Sequence, residues 1–199
     1  MSRDQRGRML AATAEAVARH GYRETTVEQI VKGAGVSRAT FYEHFANREE
    51  CLLAVFDEGL TRLQERVRSE AQGLADWQSQ VRAGLAAILD FIAQEPALAR
   101  TCIVETMSAG PQALERYEAA LQSVTPFLEA GRELAEDGEA LPITLEDSIV
   151  GGVVWMLHQR LLTDEAAAIP ALLPTMLEFA LTPYVGDLAA GEFASGAAV

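Results

Sequence analysis

The chain has 199 residues, of which 49% are hydrophobic and 23% charged, and it carries a formal net charge of −13 at pH 7. That much apolar side chain excludes a chain too polar to build a core, and Cys51 and Cys102, far apart and in no CxxC or Cys/His cluster, exclude a disulfide framework or a zinc site. The acidity is uneven: residues 1–50 hold eight basic and seven acidic side chains, the rest eight and 22, which predicts two regions with different partners.

The amino terminus, MSRDQRGRML, is charged and has no continuous apolar segment of the secretory kind. The longest uninterrupted apolar stretch, Ile149 to Leu157, is shorter than the roughly 20 residues of a membrane span. A cytoplasmic chain with no membrane partner is expected. Nearly every periodic segment has helical spacing and none alternates with period two, so the fold class is all-α.

The first helix runs from about Asp4 to His20, with Met9, Leu10, Thr13, Ala14 and Val17 on one face, and stops at Gly21. Arg3, Arg6 and Arg8 at its start are either a solvated, flexible beginning or an arm that reaches a minor groove. TTVE at Thr25–Glu28 reads as a capping box with Thr25 as the cap and Glu28 reaching back. It opens a short helix with Val27, Ile30, Val31 and Ala34 at i, i+3, i+4 and i+7. Gly35 ends that helix, Ser37 caps a second short one bearing Phe41 and Phe45, and Asn47 with Glu50 starts a long third.

The long helix puts Leu52, Leu53, Phe56, Leu60, Leu63 and Val67 on one stripe up to about Gly73. The next, marked by Trp77, Val81, Leu85, Ile88, Leu89 and Ile92, closes at Glu95–Pro96, where the proline can begin another helix. After Gly110–Pro111 comes a helix with Leu114, Tyr117, Leu121 and Val124, which Pro126 should kink or split near Ser123–Thr125. Two apolar helices come next, at about Thr144–Thr163 and Ile169–Tyr184, and helices so apolar must be buried. Residues 186–199 have few large side chains and are expected to be a frayed tail.

Two short helices joined by AGVS, with a third before them, fit a helix-turn-helix. Gly35 permits the turn, Val36 fills the space beneath it, and Ser37 leaves a helix start aimed outward as a phosphate site. Arg38, Ala39 and Thr40 are then the first-turn side chains able to meet base edges, since arginine bonds guanine with two donors and a threonine methyl packs on thymine.

The run TTVEQIVKGAGVSRATFYEHFANREECL, extended back through MLAATAEAVARHGY, resembles the amino-terminal DNA-binding signature of the TetR/AcrR regulators. The resemblance covers about residues 3–63, with the helix-turn-helix at 26–45. It implies some nine helices in all, with an effector-binding and dimerisation domain at 64–185. It implies phosphate contacts from Thr25 or Thr26 with the amide at that helix start, and from Tyr42, His44 and Arg48, and base reading by Arg38, Ala39 and Thr40. Arg48 stands where lysine is commonest, Ala39 where glycine is frequent and Cys51 where an aliphatic side chain is usual; Ala16 and Val17 are smaller than the usual pair.

In the rest of the chain, Trp77, Phe91, Met107, Tyr117 and Trp155 are aromatic or soft candidates for an effector chamber, although such a stripe is more often core. Arg100, Glu105 and His158 could orient a ligand there. Gly151 and Gly152 inside a helix imply close packing against a neighbouring helix or a second subunit. The dimer is favoured, with Gly151, Gly152, Val153, Leu173 and Leu177 in an intersubunit bundle.

No catalytic triad, GxSxG or glycine-rich phosphate loop is present, and the three histidines have no metal-ligand spacing, so no enzyme, metal or cofactor is expected. The expectation is a homodimeric repressor on double-stranded, palindromic operator DNA, released by a small, largely apolar effector. A DNA-bound architectural or protein-interaction module without an effector is the alternative.

Overall fold

The structure, a computed structural model, describes residues 2–163 and 165–196, and among these no strand occurs. Among the described residues eleven α-helices occur in chain order: α1 (Ser2–His20), α2 (Val27–Ala34), α3 (Arg38–His44), α4 (Arg48–Ala71), α5 (Trp77–Gln94), α6 (Pro96–Arg100), α7 (Pro111–Gln122), α8 (Thr125–Glu129), α9 (Leu145–Leu162), α10 (Leu173–Val185) and α11 (Asp187–Ser195). A π-helical turn, Thr101–Glu105, and a 3-10 turn, Thr106–Ser108, continue α6, and further 3-10 turns lie at Ala130–Leu134, Gly138–Ala140 and Ala166–Leu172. The excess over nine comes from interruptions: α7 and α8 are separate at Ser123–Val124, just before Pro126, and α11 is additional.

Two compact units make up the chain: Met1–Arg62 with Glu95–Glu118, and Leu63–Gln94 with Ala119–Val199. Helix α6 and most of α7 thus cluster with the first unit and not with the segment that directly follows residue 63. Short-range periodicity locates helices but carries no information about which distant helix each one packs against.

In the first unit, Val17 and Tyr22 meet Leu52, Leu53, Ala109 and Ala113 in one buried cluster. Small residues set the helix spacing. A Cβ on Gly33 would stand 3.2 Å from the Ala12 Cβ, and one on Gly59 would stand 3.2 Å from Leu98 Cδ1 and 3.3 Å from Cys102 Sγ.

The second unit has two buried clusters. Val81, Leu177, Leu181, Ala190 and Ala194 form one, with Trp77, Leu85, Leu173, Val185 and Phe193 packed around it; Leu128, Ile149, Val150, Ala180 and Tyr184 form the other. Ala166–Val185 is apolar enough to span a membrane by length and composition, with a mean hydropathy of 1.3. Its Met176, Leu177, Ala180, Leu181 and Tyr184 are buried within the protein.

A buried polar network fixes the segment before α9. Arg132 donates from Nε and Nη2 to the two carboxylate oxygens of Glu146 at 2.8 and 2.7 Å, and from its terminal nitrogens to the carbonyls of Gly138, Leu141 and Pro142. The Tyr184 hydroxyl donates to Glu146 Oε1 at 3.0 Å. Burial raises the Glu146 carboxyl, but the Arg132 and Tyr184 hydrogen bonds outweigh it, and the group titrates below the ordinary carboxylate range.

The expected frayed tail is instead helix α11 from Asp187 to Ser195, while residues 197–199 lie outside the described residues. Gly186, at φ 82°, breaks the path after α10, and buried Ala190 and Ala194 bring α11 close. Arg82 on α5 donates from Nη2 to the carbonyls of Phe193 and Ala194, and its guanidinium lies 4.8 Å from the Phe193 ring centroid. A cation on the last carbonyls stabilises the end of a helix, and Phe193 is the one large α11 side chain packed on the core cluster.

Candidate nucleic-acid interface

The connection from α1 to α2 is built from backbone chemistry. Gly21 takes φ +79°, a conformation that L side chains resist. Thr25 is fully buried and its hydroxyl donates to the Gly21 carbonyl at 2.8 Å. It is therefore not the helix cap, nor is its side chain open to phosphate. The capping box is one residue later: the Gln29 amide donates to Thr26 Oγ1 at 3.2 Å, and the Thr26 amide donates to Gln29 Oε1 at 2.6 Å. Threonine is present at both positions, so pattern could not distinguish them; the extended backbone at Thr26, φ −117°, decides.

Gly35, at φ 62°, ends α2, and its amide and that of Val36 return to the last carbonyls. Ser37 caps α3 by accepting from the Thr40 amide at 3.0 Å, and the two hydroxyls lie 2.9 Å apart. Phe41 is fully buried on the inner side, edge-on to Tyr42 at 5.4 Å and next to Phe45. With Phe41 anchoring that side, Ser37, Arg38, Ala39 and Tyr42 are left exposed, Thr40 and His44 partly so.

Arg38 and Tyr42 are one turn apart. The Arg38 guanidinium lies 5.8 Å from the Tyr42 ring centroid, and the hydrogen bond with the Tyr42 side chain raises its pKa above the usual arginine value. It stays a cation at every relevant pH.

Arg48 has another role. From Nη1 it donates to the carbonyls of Arg23, at 3.2 Å, and Thr25, and its guanidinium stands 4.3 Å above the Tyr22 ring. A planar fork of donors suits this arrangement better than an ammonium, which gives a physical reason for arginine here. The start of α4 is capped as expected: the Glu50 amide donates to Asn47 Oδ1 at 2.8 Å, and Glu50 accepts from the Ala46 amide at 2.5 Å.

Arg6 and Arg8 belong to helix α1 and not to an extended arm. Arg6 lies 5.7 Å from the Phe45 ring centroid and Arg8 is 3.9 Å from Asp4; the side chain of Arg3 lies outside the described residues. Cys51 is fully buried, with its sulfur 3.1 Å from Thr13 Oγ1, and burial pushes its thiol pKa up to about 11.

This assembly, a short helix anchored by Phe41 with Arg38 and Tyr42 presented outward after a Gly35 turn, lies inside the match to the family described as bacterial regulatory proteins, tetR family, which takes in residues 9–55. Over that segment the chain is similar to the tetR family. The chain is 28% identical over 122 residues to the HTH-type transcriptional activator FasR of Mycolicibacterium smegmatis, a match that covers 61% of the chain and 56% of FasR. The matched region is thus little more than half of that relative's length. Among solved structures, the fatty acid degradation regulator FadR of Bacillus halodurans superposes with a TM-score of 0.80 at 21% identity, over 89% of this chain and 94% of FadR. FadR of Bacillus subtilis in complex with stearoyl-CoA gives 0.77 at 21% identity, over 89% and 98%.

The residues expected to form an effector chamber do not share one unit: Arg100, Glu105, Met107 and Tyr117 belong to the first, Trp77, Phe91, Trp155 and His158 to the second. Glu105 accepts the Tyr22 amide at 2.9 Å. Tyr117 is buried against Phe56, Met107 is exposed, and Arg100 ends α6. Trp77 packs edge-on to Tyr184 at 5.1 Å and donates to the Phe127 carbonyl at 3.0 Å. Phe91 is buried on α5. Trp155 is 62% exposed and stacks on His158, whose Nδ1 is buried and without a hydrogen-bond partner among the described residues.

The residues expected at a subunit interface divide likewise. Leu177 is fully buried and Val153 nearly so, both in the core, and Leu173 packs on the α10–α11 cluster. Gly152 is explained within the chain, since a Cβ there would stand 2.7 Å from the Phe179 ring. Gly151 faces open space. Apolar composition all round α9 implied full burial, yet Gly151, Trp155 and Leu162 form an uncovered stripe on it, beside exposed Phe179.

Proposed function

We propose that the protein is a homodimeric transcriptional repressor that reads a palindromic operator with α3 and is released by a small, largely apolar effector bound in the second unit. The observation that carries the DNA reading is the presentation of Arg38, Ala39 and Tyr42 on one exposed side of a helix anchored by Phe41. In a helix-turn-helix such a helix enters the major groove. Arg38 reads a base, Thr40 supports it, and Ser37, Tyr42, His44 and the exposed Thr26 at the α2 start meet phosphates. Thr25 and Arg48 hold the intervening turn.

Pairing through the stripe Gly151, Trp155 and Leu162 of α9 with Phe179 of α10 would place two reading helices on one duplex, as palindromic sites require. Trp155→Glu should give monomers by sedimentation, and an unchanged dimer would move the interface elsewhere. Stearoyl-CoA is the first effector class to examine, because the similarly folded FadR of Bacillus subtilis is described in complex with it. To act, it must bind the DNA-free state more tightly than the bound one.

The deciding experiment enriches duplexes from random sequence on the wild-type protein and measures their affinity with and without stearoyl-CoA. Recovery of an inverted repeat is expected; retention of DNA without sequence enrichment would overturn the operator reading. In cells, loss of the protein should raise expression from a promoter bearing the repeat, and lowered expression would make it an activator, as FasR is named.

A further inference from the structure

Between Pro96 and Ser108 the backbone changes pitch twice, from α to a π turn at Thr101–Glu105 and then to a 3-10 turn. Such interruptions are uncommon and often mark working parts of a helix. Here the π turn is locked on both sides: the Thr106 hydroxyl, fully buried, donates to the Thr101 carbonyl at 2.9 Å, and the Thr101 hydroxyl donates to the Ala14 carbonyl of α1 at 3.1 Å.

The last residue of the π turn is Glu105, and its Oε2 accepts the Tyr22 amide at 2.9 Å. The carboxylate is also in ordinary contact range of Gly21, where a Cβ would stand 3.5 Å from that oxygen. Arg48 grips the next residues of the same connection, through the carbonyls of Arg23 and Thr25 and the face of Tyr22. A carboxylate beside the carboxy-terminal end of α1 opposes the helix dipole. The stability of α1 therefore does not explain a charged acceptor at this place.

We infer that Glu105 is a positioning residue for DNA reading: through its bond to the Tyr22 amide, the pitch of the Thr101–Glu105 turn sets the connection that leads into α2. Relaxing the π turn to α removes about one residue from the turn and rotates the residues after it by roughly 100°, which carries the carboxylate off the amide. The inference rests on the DNA-reading function proposed above and adds a point of control, outside the helix-turn-helix sequence, that no base or phosphate touches.

The test uses the full chain, a duplex enriched from random sequence on the wild-type protein, and a mixed-sequence duplex for comparison. Affinities are measured where circular dichroism shows each variant folded. Glu105→Ala should weaken the enriched duplex about tenfold while changing the mixed duplex little, and should speed hydrogen exchange at the Tyr22 amide. Glu105→Gln retains an acceptor oxygen and should restore both readouts. An unchanged affinity ratio in folded Glu105→Ala, or a glutamine variant as impaired as the alanine one, would overturn the role of Glu105 alone. If no duplex is enriched, the DNA reading fails and this inference with it. Should Glu105→Ala not fold, Thr106→Val, which loosens the π turn, should lower the ratio by about threefold; a folded variant with the wild-type ratio would count against the proposal.

Discussion

Two arginines show how differently the two units use the same chemistry. Arg132 of the second unit is bound to both oxygens of a buried carboxylate and to three carbonyls. Arg38 of the first unit stands in solvent beside Tyr42, one turn away on its own helix. A guanidinium enclosed in a complete set of acceptors fixes a backbone path. One with a single local partner keeps donors available for a base edge. The contrast is one of partner geometry, and residue type alone does not reveal it.

The largest effect should come from breaking the enclosed arginine. Arg132→Met leaves Glu146 buried beside Tyr184 without its counter-ion, and a loss of about 3 kcal/mol in urea unfolding is expected; a change under about 0.5 kcal/mol would mean that the segment before α9 is held by other contacts. The same pair should make the fold acid-sensitive. Because Glu146 titrates lower when folded than when unfolded, its contribution is present above the unfolded carboxylate value. It is lost as pH falls through the folded one. Glu146→Gln should flatten the acid limb of a stability profile, and an unaltered limb would assign the sensitivity to other carboxylates.

A smaller effect is expected at the α2 cap. Thr26→Ala removes the acceptor for the Gln29 amide and should cost about 1 kcal/mol, readable as a lowered urea midpoint. An equal loss from Thr26→Ser, which keeps the cap oxygen, would show that the methyl and not the cap matters.

Smallest in stability is Arg38→Ala, expected within about 0.5 kcal/mol of wild type. Its effect should appear on DNA, as a loss of roughly 1 to 3 kcal/mol concentrated at one position of the enriched sequence. Uniform weakening on every duplex would make Arg38 a phosphate contact, and would bring it nearer in kind to Tyr42.

How much of the molecule is legible in its sequence depends on the range of the interactions. The α2–α3 turn, the Ser37 cap and the Asn47 cap are encoded within a few residues, so AGVS and its flanks suffice. At Thr25 and Thr26 the sequence places the cap one residue early, because adjacent threonines give the same local pattern and only the extended backbone at Thr26 and the burial of Thr25 tell them apart. Long-range assignments fail for a different reason. Glu105 meets a backbone amide 83 positions away, and Arg82 meets carbonyls 111 and 112 positions away; no period or motif marks a partner that is a peptide group. Likewise Gly152 reads as a subunit contact until Phe179 is seen filling the space over it.

The two cysteines have a practical consequence for labelling the reading helix. Burial holds the Cys51 thiol at a pKa of about 11 and that of Cys102 at about 12, so near neutral pH each supplies almost no thiolate for an alkylating dye. A cysteine introduced at exposed Ala39 would react far faster than either. A fluorophore could then be placed on α3 of the otherwise natural chain without removing Cys51 from beside Thr13.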